Sequence, residues 1–431
     1  MNILFFSQAA WDNKNSVGNT FSNWFDGKPW KDDSFFHMYT RKKMPDNHMN
    51  ITYYNISTVD IIKGIVRNKD KGTRFNTESL PPIRLANEKA CINEQKNINR
   101  IHKGKNNIIY YGYELIWRSK LWKDKSFKDF IRMASPDVFF AFATSPYILW
   151  PLIQYLKKHT ACKVVLLVAD DVYGNYDQCA FYRRGYLKRE LEKCILAADK
   201  LYGISDEMSE LYRKRFGKPV TTLYKGCDLS AEPKKHLNQP LRFVYAGNLL
   251  WGRDDTLAQV AEALEKLNQD TQKAILEIYT GTTITEQLRQ KLEIGSSSRI
   301  MGSRPYEEIK RIMHEADVVL HVESFEEKQK DTVRYSFSTK IIDCLQSGSQ
   351  VLGIGPAGIA SIEYLKKVDG AVVIDRQGEV GYAVEELIQK NKMVENAKQT
   401  RQYALKNHEL NSVQENLRYE LEKLLPKNTN T

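Results

Sequence analysis

None of the six cysteines falls in a CxxC pair: Cys91, Cys162, Cys179, Cys194, Cys227 and Cys344 lie far apart. That spacing argues against a zinc ribbon and a dense disulfide framework, and suits scattered, packed thiols in a reducing compartment. The eight histidines show neither HxxxH nor HxH spacing, so no metal site is expected. Long apolar runs are also missing. The longest, residues 138–153, is interrupted by Thr144, Ser145, Pro146 and Pro151 and falls short of the ~20 residues a spanning helix needs. The run at residues 1–10 has no basic residue before it, so it reads as a first strand and not as a secretory signal. A cytoplasmic chain without a membrane span is the expectation.

What is present is bulk, core and positive charge. With 431 residues and 42% hydrophobic content, the chain exceeds the ~250–300 residues at which single cores stop growing, so two domains are expected. The net charge of +11 suits phosphorylated ligands, an anionic lipid surface or nucleic acid. Nothing resembles a zinc finger, an RNP motif or a basic zipper, so nucleic acid ranks last and no nucleic-acid partner is expected.

The second half alternates cleanly. Strands are expected at 241–246, 275–279, 299–301, 318–322, 351–354 and 371–374. Helices are expected at 256–267, 286–292, from Pro305 to about 315, from Ser338, at 359–365 and at 380–389. Buried strands alternating with helices of this length predict a parallel sheet covered on both faces. The first half alternates more loosely. Its strand-like pieces are 2–6, 51–55, 107–111, 137–142, 163–168, 200–204 and 221–224; its helical patterns are 114–133, 148–158, 182–197 and 207–216. Asn and Lys dominate an apparent insertion that runs to about 106. The expected organisation is an N-terminal Rossmann-like domain over 1–228, a linker over 229–240, a second Rossmann-like domain over 241–391, and a helical tail over 392–431. Ligands in such open α/β sheets bind at the carboxyl ends of the strands.

The strongest chemical signal is the run 319–356, VLHVESFEEKQKDTVRYSFSTKIIDCLQSGSQVLGIGP. A buried strand leads through a polar loop to Ser338 and Thr339 at a helix start, and Gly348 ends that helix before another buried strand. Amides at a helix start suit a diphosphate. Lys340 in the first turn adds a cation, and Asp343, one turn in, is placed to hold a ribose diol. The residues alone leave open that Ser338 and Thr339 only cap and that Asp343 only complements the helix dipole.

STKIIDCLQSGSQVLGIGP is similar to the SKxxEYxxxGxPV block of family-4 glycosyltransferases, which have the GT-B fold. Three other blocks fall in the same order: FVYAGNL at 243–249, IMGSRPYEEIKRIMHEADVVLHV at 300–322, and LAADKLYGISDEMSELYRKRFGKPVTTLYKG at 196–226. SVGNTFSNWF at 16–25 resembles the opening of bacterial capsule and exopolysaccharide enzymes. The resemblance implies two tandem Rossmann-like domains facing a cleft, with the C-terminal helix crossing back to the first. Gly247 and Asn248 would let the backbone approach donor phosphates, and Arg253 would supply a cation. Gly302 and Arg304 would border the base, Ser338 and Thr339 would present amides to phosphate, and Asp343 would hold the ribose. Two positions depart from the family pattern. Tyr335 stands where the first of two glutamates is usual, and Asn248 stands where an arginine often follows the opening glycine.

In the first domain a buried strand ends on Asp170 and Asp171, with Asp170 at the place of the family's histidine. Adjacent carboxylates there suit general-base or acceptor-orienting work, or merely precede a turn. Gly18, Asn19 and Thr20 are expected in a loop after the first strand. Trp117, Leu121, Trp122 and Phe127 alternate with Arg118, Lys120, Lys123, Lys125 and Lys128, which reads either as a helix resting on an anionic membrane or as a core helix. The implied activity is hexosyl transfer, generally with retention, from a UDP- or GDP-linked sugar. The acceptor would be a glycan or polyprenyl-diphosphate-linked, in surface polysaccharide synthesis at the inner face of the plasma membrane, with no cofactor. A non-catalytic subunit stabilising a partner transferase, or a nucleotide-sugar epimerase, is the alternative.

Overall fold

A computed structural model of the chain describes residues 1–77 and 107–426. The Asn- and Lys-rich stretch from 78 to 106, Cys91 within it, and the polar end from 427 lie outside the described residues. The chain forms two compact units, one of residues 1–223 with 414–431 and the other of residues 224–413.

The first unit is built on an eight-stranded sheet in the order β4-β3-β2-β1-β5-β6-β7-β8. Its strands are β1 (Asn2–Ser7), β2 (Ser34–Tyr39), β3 (Ile51–Asn55), β4 (Thr73–Asn76), β5 (Val138–Phe142), β6 (Lys163–Val168), β7 (Lys200–Gly203) and β8 (Thr221–Thr222). All pairs are parallel except β3 with β4. The central strands are buried on both faces, which is why LFF, VFFA and VVLLV read as continuous apolar runs. Phe5 anchors one face, with Trp11, Phe25 and Phe21 around it at centroid distances of 4.9, 4.8 and 5.2 Å.

Several expectations are corrected in this unit. Residues 107–111 are helical, not a strand, and open the helix Asn107–Arg118. Its Glu114 and Trp117, one turn apart, are both buried, so a helical period governs a stretch whose Ile and Tyr content looks strand-like. The single helix expected over 114–133 is two, the second being Lys125–Ala134, which Asp124 caps. Gly18, Asn19 and Thr20 lie in the helix Ser16–Phe25, not in a loop. A β-carbon on Gly18 would stand 2.3 Å from the Asp12 carbonyl oxygen, so that glycine permits close packing of the helix start. β2 and β4 are strands that the sequence pattern does not predict. Trp117, Trp122 and Phe127 are buried core residues, so this aromatic set is not a membrane-facing surface.

The second unit carries a six-stranded, wholly parallel sheet in the order β11-β10-β9-β12-β13-β14. The strands are β9 (Leu241–Ala246), β10 (Ala274–Tyr279), β11 (Ser298–Gly302), β12 (Val318–Val322), β13 (Gln350–Ile354) and β14 (Val372–Ile374). The alternation expected from sequence is observed, with one addition. The polar stretch before Ser338 holds a further short helix, Glu327–Val333. Among the described residues no helix is long and apolar enough to cross a membrane.

The C-terminal segment returns to the first unit. There Gln414 donates through Nε2 to the carbonyls of Asn23 (2.8 Å) and Asp26 (3.1 Å), and Arg418 pairs with the fully buried carboxylate of Asp33. A β-carbon at Gly27 would overlap the Gln414 amide, so glycine there makes room for the returning helix.

Candidate active site

In each sheet the strand order reverses between two neighbours, β1 and β5 in the first unit and β9 and β12 in the second. The crevice beyond the carboxyl ends of such a pair is where open α/β sheets bind ligands. In the second unit the predicted Gly247 follows β9, and Glu323, which no motif singled out, follows β12.

Gly247 cannot readily be another residue. An ideal β-carbon on it would lie 2.3 Å from Lys340 Nζ and 2.7 Å from the Tyr245 hydroxyl. That hydroxyl donates to the Asn248 carbonyl at 2.6 Å, which fixes the turn. The Asn248 side-chain oxygen accepts from Arg253 Nη1 at 2.8 Å and from the Leu250 amide at 3.2 Å. Trp251 and Gly252 then take left-handed backbone in succession, with φ of 65° and 71°. Arg253 thereby enters the first turn of the helix Arg253–Leu267.

Arg253 is held by a partner the sequence reading missed. Its Nε and Nη2 donate to the two carboxylate oxygens of Glu323, each at 3.1 Å. Glu323 is only 3% exposed, and burial raises its carboxyl pKa while Arg253 opposes the rise. Thr256 Oγ1 donates to the Glu323 carbonyl at 2.9 Å. A bidentate, largely buried pair of this kind fixes a guanidinium in place. Nearby, burial lowers the Lys340 ammonium to about 8, with the Arg253 charge adding to the shift. His321 is lowered to about 3 by burial and then by both cations, so it is neutral. Its Nε2 has no hydrogen-bond partner among the described residues and lies 3.6 Å from Glu323. Two cations, Arg253 and Lys340, thus face one carboxylate, Glu323, beyond the carboxyl ends of a parallel sheet.

Asp343 sits one helical turn beyond Lys340, in the helix Lys340–Gln346. Its Oδ1 accepts from the Tyr306 hydroxyl at 2.8 Å. Burial raises its pKa, and the buried Lys225 is the first influence opposing that. The Ser338 amide donates to Ser361 Oγ at 3.0 Å, so it is already engaged within the unit. Thr339 stands at the N-cap but its side chain makes no capping bond. Gly302 ends β11 with φ 74°. Arg304 is engaged with its own neighbours. Its Nε is 3.3 Å from Glu308 and its Nη1 donates to the Ser303 carbonyl.

In the first unit the adjacent carboxylates are unequal. Asp171 is gripped by Arg215 at 2.5 and 3.2 Å and also caps the short helix Val172–Asn175 by accepting from the Gly174 amide. Asp170 is exposed at the end of β6. At the crevice of this sheet, Gln8 after β1 donates to Ser145 Oγ after β5 at 2.5 Å. Beyond it a buried pair joins Arg183 to Glu114 at 2.6 Å. No motif pointed to these residues, because each stands alone in its stretch of sequence.

No family model matches the chain, and no curated protein matches it in sequence. Solved structures do match in fold. The Anabaena protein Alr3699/HepE in complex with UDP superimposes with a TM-score of 0.62 at 11% identity, over 98% of this chain and 100% of that one. The trehalose-6-phosphate synthase OtsA gives a TM-score of 0.62 at 11% identity, over 99% and 100%. An E. coli structure, trehalose-6-phosphate bound with UDP-2-fluoro glucose, gives 0.60 at 10% identity over 99% and 100%. The chain has the GT-B fold, two Rossmann-like α/β domains as found in these glycosyltransferases.

Proposed function

We propose that the chain is a glycosyltransferase whose second unit binds a nucleoside-diphosphate sugar at the crevice between β9 and β12. The carrying observation is the arrangement of Arg253, fixed by the buried Glu323, beside Lys340 and against the glycine at 247. A diphosphate needs fixed cations and close backbone approach, and this crevice supplies both. Asp343, with its Tyr306 partner, would hold the ribose. UDP is the first nucleotide to try, because structural neighbours were solved with UDP or a UDP-sugar bound. The SKxxEY-like block supports a family-4-like hexosyltransferase acting with retention. The acceptor would be a glycan or lipid-linked, in bacterial surface polysaccharide synthesis.

Thermal shift with UDP, GDP, ADP and CMP tests the donor site. A ligand at about 100 times its Kd adds about 2.7 kcal/mol to the form that binds it. One nucleoside diphosphate is expected to raise Tm, and Asp343→Ala to abolish the rise. No response to any of the four would favour the non-catalytic subunit, a reading that Tyr335 in place of the usual glutamate keeps in view.

A further inference from the structure

Asp343 takes two donors on one oxygen. The Tyr306 hydroxyl donates to Oδ1 at 2.8 Å, and Gln346 Nε2 donates to the same atom at 3.4 Å. Both acidic and amide side chains lie on one face of the helix Lys340–Gln346, a single turn apart. The Gln346 amide has no choice of orientation. The Asp228 backbone N–H donates to Gln346 Oε1 at 3.1 Å, and a backbone amide can only donate. Oε1 is thereby fixed toward Asp228, which turns Nε2 toward Asp343.

The segment that supplies this amide is itself pinned within the second unit. The Cys227 amide donates to the His408 carbonyl at 2.6 Å, and His408 Nδ1 lies 3.2 Å from the Lys225 carbonyl. The Cys227 thiol donates to the carbonyl of Ile342, the residue before Asp343, at 3.9 Å. A β-carbon on Gly226 would stand 2.7 Å from Leu410 Cα, so the segment packs directly on backbone. Lys225, buried in the same segment, is the charge that most opposes the burial of Asp343. We propose that Gln346, locked by the Asp228 amide, is the positioning residue that turns Asp343 Oδ2 to the ribose hydroxyls of the nucleotide. This role, which rests on the donor-site reading, makes the ribose a source of specificity. A carboxylate anchored through Oδ1 presents Oδ2 in a set direction, so an incoming diol need not order it first.

The test is calorimetry on the full chain with UDP, GDP and the 2′-deoxy and 3′-deoxy forms of each. The wild-type chain should bind at least one deoxy form about tenfold or more weakly than its parent, as loss of a hydrogen bond to a charged group implies. Gln346→Met removes both amide contacts at similar volume and should cut that ratio to below about threefold. The deoxy form itself should bind Gln346→Met within about twofold of wild type, because the diphosphate contacts remain. That second affinity also shows that the variant folds. Equal weakening of parent and deoxy form would mark a merely structural residue and overturn the proposal, as would an unchanged ratio. Wild-type binding without any ribose preference would overturn it too, while leaving the diphosphate site standing. Binding of neither UDP nor GDP would sink the donor-site reading itself, and the proposal with it.

Discussion

The Lys340 ammonium occupies the space that a side chain at residue 247 would need: an ideal β-carbon there would be 2.3 Å from Nζ. The lysine end is flexible and can withdraw, but the buried Tyr245 ring, with its hydroxyl 2.7 Å from the same point, must also shift, so Gly247→Ala should lose about 1–3 kcal/mol or more, the range for overpacking. The displaced cation should cost much more in function. We expect at least a tenfold rise in the Kd for the nucleoside diphosphate by calorimetry. An unchanged Kd would mean that Lys340 does not meet the ligand.

The same lysine predicts a pH dependence. Its pKa in the free protein is lowered to about 8, so above that pH the free site loses one of its two cations. Diphosphate affinity should therefore fall as pH rises from 7 to 9, with proton uptake on binding near pH 8. Lys340→Met should bind more weakly at pH 7 and show a flat profile over this range. If the profile of the wild-type chain is already flat, another cation does the work.

Arg253 and Glu323 should separate stability from recognition. Glu323→Ala leaves a largely buried guanidinium without its counter-ion, and breaking such a pair typically costs about 3–5 kcal/mol. Arg253→Lys keeps the charge but cannot form the two-pronged bond to Glu323. It should weaken nucleotide binding, by calorimetry, with a smaller fall in Tm than Glu323→Ala. Equal Tm losses in the two would point to a purely structural pair.

The fold was legible where burial is complete. Strands such as VVLHV and VLGI are buried on both sides, so each shows as an unbroken apolar run between turn residues. The first unit was harder for the converse reason. β4, TRFN, exposes three of its four residues, and β2, SFFHMY, hides a buried His37 in its run. NIIYY at 107–111 has strand-forming residues, yet it opens the helix Asn107–Arg118. The candidate site was half legible. Gly247, Arg253, Lys340 and Asp343 sit in motifs, whereas Glu323 is one of three glutamates in VESFEE. Only the end of β12 tells which of them is buried. Tyr306 and Lys225 lie 37 and 118 residues from Asp343 in sequence, beyond the reach of any local pattern.

Asp170 and Asp171 offer the sharpest contrast between neighbours. Asp171 accepts two bonds from Arg215 and one from the Gly174 amide, with its side chain and that of Arg215 only 18% and 25% exposed. Asp171→Ala removes a helix cap, worth about 0.5–2 kcal/mol, and leaves the arginine without its partner. Its main effect should be a Tm lower by several degrees. Asp170 is exposed, so the near-isosteric Asp170→Asn should lower Tm less than Asp171→Ala does. If Asp170 orients the acceptor or takes its proton, that variant should lose turnover by about 100-fold or more while its affinity for nucleoside diphosphate stays unchanged. The two measurements, a melting curve and a glycosyl-transfer assay, should rank the variants in opposite orders. If Asp170→Asn retains full turnover, the role passes away from this pair, and the buried Glu114 with its Arg183 becomes the next group to test.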